Sequence, residues 1–235
     1  MSADATESAR RPAPPAPRRE ALTDSVYEAV KAMLMDHVIQ PGARVGIEAV
    51  SRSLGVSPTP VREAMARLES EGLVVKRSLS GYRATVLLAR HDMEQLFEMR
   101  LLLEPAAAAL AAEHAGNAEL DRLETLVEEM QGQSDTGDSY AVYGRFAMLD
   151  QHFHDVLAAA SGRPLLAAAV ERLHVHLHLF RLSPVTGGSP ATVVEHGRIL
   201  RAVLRRSPER AAEAMREHLE LSLERQLDRY VQEGF

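Results

Sequence analysis

Apolar and polar positions follow two regimes along the chain. Up to about residue 86, short helical periods alternate with turns and end in strand-like alternation; from residue 91 onward the periods are helical. Val26, Val30, Met33 and Leu34 recur at helical spacing and predict a first helix over 22–38 with those side chains inward. PGARV then turns the chain. A short periodic segment closes at Leu54-Gly55, glycine being the residue that tolerates the left-handed position after a helix. Ser57 is placed to cap a second helix, and Pro58 and Pro60 fall in its first turn, where backbone N–H groups lack helical partners anyway. The pattern leaves open whether that helix starts after Ser57 or after Thr59. Val61, Ala64, Met65 and Leu68 make its buried stripe, and Arg62 and Arg67 stand off it. Gly72 ends the helix, and LVVKRSLSGYRATV reads as two short strands turning at Ser80-Gly81. Two helices on a tight turn with a hairpin behind them predict a winged helix-turn-helix. A helical hairpin inside some core would give the same helical pattern. The hairpin's Lys76, Arg77 and Arg83, suited to phosphate contacts, favour the DNA-binding reading.

The rest reads as helices over 91–115, 117–133, 139–160, 163–183, 190–207 and 208–235, with Pro105 expected to bend the first. Within the fourth, HVHLHLF alternates as a strand would. The expected fold is therefore mainly α: an N-terminal winged helix-turn-helix followed by an antiparallel bundle of about six helices. Residues 1–20 are rich in Pro, Ala and Arg, without an apolar period or the apolar core of a signal peptide, and read as a disordered tail. The divisions are 1–20 for the tail, 21–88 for the winged domain and 89–235 for the bundle.

Composition narrows this further. Hydrophobic residues make up 46% of the chain, but aromatics only 4% and Trp is absent, so alanine and leucine fill the interior, as a bundle permits. The absence of cysteine excludes disulfides and thiolate metal sites and fits a reducing cytoplasm. No run approaches the roughly 18 apolar residues of a membrane span. The net charge of −6 is unevenly divided. Residues 1–90 hold 13 Lys+Arg against 10 Asp+Glu, whereas residues 91–235 hold 14 against 23. Two halves of opposite sign suit different partners.

The stretch from Thr23 to Val86, with its Ile39–Gly42 turn, PVREA at 60–64 and EGLV at 71–74, resembles the winged DNA-binding domain of the GntR family of bacterial transcription regulators. The resemblance implies that Arg62 reads base edges, that Ser57 and Thr59 contact the DNA backbone and that Gly81 at the wing tip enters the minor groove. Arg67, Lys76 and Arg77 complete the expected DNA-binding set. This sequence departs from the family in carrying Pro58 where many members have arginine, which removes one base-reading contact from the expectation.

Eight of the ten histidines lie beyond residue 100. Asp150 and His154 are four apart and project from one helix face, while His152 points elsewhere. His196 and His218 sit singly on the last two helices. Three imidazoles and a carboxylate from three helices can converge on one divalent metal, although isolated core histidines produce the same spacing more often. Residues 91–230 resemble the all-helical FCD ligand-binding domain of the FadR subfamily, through MRLLLEPAAAALAA, DQHFHDVLAAASGRP, EHGRILRAVLRR and AMREHLE. That resemblance implies a metal held by Asp150, His154, His196 and His218, with zinc, nickel or manganese the expected ions. His174 and His178, also four apart, line the same cavity or simply one face of a helix. Arg100 interrupts an inward stripe of Leu96, Leu103 and Ala107. It is either a partner of Glu104 on a solvated face or, as the resemblance implies, a clamp for a carboxylate effector.

The function expected is a DNA-binding transcriptional repressor, not an enzyme. It is a homodimer on a palindromic double-stranded operator, with a divalent metal and a small organic acid in its helical half. Two alternatives remain at this level: a metal-dependent hydrolase using the Asp/His cluster, and a DNA binder whose helical half only dimerises.

Overall fold

The computed structural model describes residues 19–78, 81–133, 139–173, 175–182 and 190–233. The tail expected over 1–20 falls outside them except for its last two residues, which open the first helix. The winged domain runs α1 (Arg19–Met35), β1 (Arg44–Val45), α2 (Ile47–Leu54), α3 (Pro58–Ser70), β2 (Val74–Arg77) and β3 (Gly81–Ala84). Helix α1 therefore stops three residues short of the expected end. His37 turns into the left-handed region with φ 55°, and the Ile39 amide bonds back to the Met33 carbonyl. Gly55, with φ 65°, closes α2 as its sequence position implies.

A third strand joins the two expected ones. The sheet order is β1-β3-β2, antiparallel throughout, with Arg44 opposite Arg83 and Val45 opposite Tyr82. Strand β1 is two residues long, too short to leave an alternating pattern. Val61, Ala64, Met65 and Leu68 of α3 are fully buried against Val26, Val30 and Leu34 of α1. Deep aliphatic burial of this kind contributes roughly 1.5–3 kcal/mol per side chain and fixes α3 against α1.

The helical half runs α4 (Arg90–His114), α5 (Asn117–Gln131), α6 (Tyr140–Ala160), α7 (Pro164–Glu171), α8 (Val175–Leu182), α9 (Pro190–Leu204) and α10 (Pro208–Glu233). These are seven helices among the described residues, where about six were expected. The helix expected over 163–183 breaks after Glu171. No proline or glycine lies at the break; α8 instead turns to pack on α1 and α6, a tertiary preference that local sequence does not encode. Helix α4 continues through Pro105, which is buried within it. Helix α10 packs along α4 and α9, and α6 packs against α4 and α5.

The two halves are joined by more than the linker. Arg181 of α8 is 2% exposed and donates to the Thr85 hydroxyl at 2.7 Å and the Thr85 carbonyl at 2.8 Å. Its own carbonyl lies 2.9 Å from His37 Nε2. The Tyr140 amide donates to Asp36, and the Tyr230 hydroxyl to the Leu88 carbonyl. Helix α8 is thus tied both to the end of α1 and to the strand leaving the wing.

Candidate metal centre and DNA-binding face

Helix α6 lifts Asp150 and His154 into the bundle from one face, α9 brings His196 and α10 brings His218. The ligand atoms of the three histidines lie within 4.8 Å of one another, and all three residues are buried. Asp150 Oδ1 lies 3.6 Å from His196 Nε2, so all four residues expected from the sequence share one place. His152, two residues from each of the α6 pair, is exposed.

Two of the imidazoles are held by buried carboxylates. His218 Nδ1 is 2.8 Å from Glu195 Oε2, and Arg225 grips both oxygens of Glu195 at 2.8 Å. His154 Nδ1 lies 2.6 Å from Glu104 Oε2, a close contact out of line for a well-aligned hydrogen bond. Glu104 also accepts from Arg100 Nε at 2.6 Å. A carboxylate behind an imidazole fixes its orientation and raises its basicity as a ligand, the usual outer shell of a histidine metal site. His196 differs. It stacks on Phe153, centroids 4.3 Å apart, and both of its ring nitrogens are buried without a hydrogen bond.

Burial disfavours the charged form of two of the imidazoles, His196 and His218. Burial pushes His196 well below its ordinary value, and the nearby His218, His154 and Arg100 lower it further. Burial lowers His218 as well, opposed in part by Glu195. Burial would raise Glu104 and Glu195. In Glu104 the charge of Arg100, then His154, overrides it and leaves the carboxyl well below its usual range. In Glu195 the bonds from His218 and Arg225 bring it to about 2. Buried imidazole nitrogens next to fixed carboxylates form a donor set suited to a borderline divalent ion.

Beside the histidines is a cavity of about 40 Å³, whose wall includes Arg100, Asp150, His218, Ser222, Gln226 and Arg229. Arg100 is 2% exposed, so its pairing with Glu104 is a buried one and not the surface pair that the sequence allowed. Of the two other expected lining residues, His174 lies outside the described residues. His178 is half-buried on α8, and among the described residues Leu179 of α8 is part of the cavity wall. Sequence reading missed Glu195, Arg225 and the α10 wall. The signal was present for α10, since Ser222, Gln226 and Arg229 continue the helical spacing of His218.

In the winged half, α3 begins directly after Ser57, which answers the question the sequence left open. Ser57 holds the cap position but its hydroxyl makes no capping bond. Pro60 at the third helical position has no N–H to offer, which removes one of the two usual capping donors. The hydroxyl stays exposed, as do Thr59, Arg62, Lys76, Arg77 and Gly81. Gly81 has φ 77°, which supports its place at the turn. Arg67 is placed differently from expectation. Its guanidinium stacks 3.7 Å from the centre of the Tyr27 ring and pairs at 3.4 Å with Asp24 and with Glu71. Five residues from Arg62, it points well round the helix, into a cleft between the halves that Lys31, His152 and Asp155 also line.

Comparison with known proteins agrees with both halves. Residues 22–83 match the family of bacterial regulatory proteins called gntR, and residues 95–221 match the FCD domain. The uncharacterized HTH-type transcriptional regulator YdhC of Bacillus subtilis is 30% identical, over 88% of this chain and 92% of its own. The HTH-type transcriptional regulator LutR of the same organism is 31% identical, over 86% of this chain and 99% of its own. The solved structure of McbR/YncC from Escherichia coli shares the fold, with a TM-score of 0.66 at 24% identity, covering 89% of this chain and 98% of that one. Among the described residues no helix is long and apolar enough to cross a membrane. The chain belongs to the GntR family of transcriptional regulators, with a winged helix-turn-helix ahead of an FCD domain.

Proposed function

We propose that this regulator is a metal-containing homodimer that represses transcription from a palindromic operator and releases it on binding a small organic acid. The observation that carries the metal is His196: two buried ring nitrogens that make no hydrogen bond, within reach of two other imidazoles. An orphaned buried donor or acceptor costs about 1–3 kcal/mol, and a bound cation would remove that cost for the ring nitrogen that carries the lone pair. His154, His196, His218 and Asp150 would hold the ion, with zinc, nickel or manganese the ions suited to three nitrogens and an oxygen. Once bound, the ion would offer open positions to a carboxylate oxygen. Arg100, in the cavity wall, gives the acid a second point of attachment while Glu104 keeps it in place.

The response reaches DNA only if the acid prefers one arrangement of the winged domains. The support for such coupling is α8, which contributes Leu179 to the cavity wall and Arg181 to the Thr85 and His37 contacts. The reading is tested by elemental analysis of protein purified without chelator, followed by thermal melts with a panel of mono- and dicarboxylates. Bound metal, and a carboxylate that raises the melting temperature and weakens operator binding, are the expected results. Protein that carries no metal and takes none up overturns the metal.

A further inference from the structure

The helical half is net acidic, yet many of its arginines are gathered in one place. Residues 198–210 hold five arginines and one glutamate. Arg198, Arg201 and Arg205 lie three and then four residues apart on α9 and are exposed, so they form one row. With Arg210 of α10 they line a groove of about 310 Å³. Helix α5 is the reverse, with five carboxylates and one arginine in 15 residues. Its exposed Asp121, Glu124 and Glu128 repeat the same spacing. Arg198 pairs with Glu217, but the other side chains of the two rows make no ion pair or hydrogen bond among the described residues.

The two rows share one surface. Helices α5 and α9 pack together, and their ends show that they run antiparallel. Arg206, just past α9, reaches the Ala112 carbonyl near the end of α4, from which α5 follows. Gln131 at the end of α5 shares a groove of about 380 Å³ with Pro190 at the start of α9. Met130, Val193 and Val194 give that groove its apolar lining, and Val194 is 55% exposed. An apolar centre with charged margins is the anatomy of a protein contact.

We infer that the α5–α9 surface joins one homodimer to another, so that two operators are occupied cooperatively. The inference goes beyond the homodimer reading above and rests on it. The occupant is a second copy because the surface carries its own complement. A two-fold axis between the two helices and parallel to them lays each arginine row over the partner's acidic row, in both directions at once. An axis across the helices would set arginines against arginines. A nucleic acid or an acidic peptide would meet the arginines but be repelled by the carboxylates beside them.

Sedimentation of the full chain tests this. At low salt the wild type is expected to pass from two chains to four as concentration rises. In about 1 M salt, where screening acts within about 3 Å, the four-chain form should weaken. Arg201→Glu with Arg205→Glu is expected to raise its dissociation constant about 100-fold, with unchanged circular dichroism. Adding Asp121→Arg and Glu124→Arg exchanges the two rows, and should restore assembly of this chain with itself but not with wild type. On a duplex carrying two copies of the palindrome that the protein selects from a random pool, wild type should bind cooperatively and the two-residue variant independently. Exchanged rows that restore nothing overturn the contact. Wild type that stays at two chains in every condition overturns it too, and leaves the homodimer standing. Two chains that fall to one on Arg201→Glu with Arg205→Glu make this the homodimer's own interface and overturn the pairing of dimers. A chain that is always monomeric overturns both readings.

Discussion

The two halves of the molecule treat buried polarity in opposite ways. In the winged domain Lys31 and Ser51 are the polar or charged residues buried among those described, and the core is otherwise aliphatic and tyrosine. The helical domain buries Arg100, Glu104, Asp150, His154, Glu195, His196 and His218 together, with Gln226 and Arg229 beside them. Burying charge is unfavourable unless it is paired, and breaking such a pair costs more than the pair contributes. In the winged domain the residues expected to meet DNA, Ser57, Thr59, Arg62 and the described wing residues Lys76, Arg77 and Gly81, are all exposed. In the helical domain the residues proposed to hold a metal and an acid are buried instead. One half therefore has an almost wholly apolar core, while the other encloses a polar cluster within its apolar packing.

The comparison is tested most severely by Glu104→Leu. It leaves Arg100 buried without its counter-ion and His154 without its carboxylate, and is expected to destabilise the protein by about 3–5 kcal/mol. Urea denaturation measures it, with the exposed pair Arg198–Glu217 as control; Glu217→Leu should cost about 0–1 kcal/mol. Equal losses at the two sites would show that burial does not set the cost of breaking a pair, and would remove the basis of the comparison.

Next in size is His196→Phe, whose sign depends on the metal. In chelator the change removes two orphaned nitrogens and keeps the stack on Phe153, so the apo protein should gain about 1–3 kcal/mol. With metal present the variant should lose both metal content and the metal's stabilisation. A variant less stable than wild type in chelator would show that the two nitrogens are satisfied in solution.

Arg62→Ala acts on the outward-facing half and should leave the melting temperature unchanged. Among the described residues Arg62 has no protein partner, and its loss should cost about 1–3 kcal/mol on operator DNA if it is bidentate to a guanine. Equal weakening on operator and random duplexes in gel shifts would make it a phosphate contact instead.

The smallest effect is expected at Arg67. Because it is stacked on Tyr27 and paired with Asp24 and Glu71, Arg67→Ala should cost under about 1 kcal/mol of stability and leave operator affinity within a few-fold. A loss of affinity matching that of Arg62→Ala would return Arg67 to the DNA face.

Arg62 and Arg67 also show where reading the sequence stops. Both stand off the buried stripe of α3, and helical periodicity cannot say which exposed side meets DNA. That choice was made by α1, whose Asp24 and Tyr27 capture Arg67. Local sequence determined the elements with strong period or special backbone: the stripes of α1 and α3, the glycine closures at Gly55 and Gly72, and the i, i+4 pairs Asp150/His154 and Arg100/Glu104. These depend on geometry within a few residues, which the order of side chains carries directly. Tertiary structure alone decided the break between α7 and α8, the third strand, the burial of the Arg100–Glu104 pair, and the partnership of Glu195 with His218 and Arg225. Each of these joins segments distant in the chain, and its energy comes from desolvation and packing that exist only after the helices have docked.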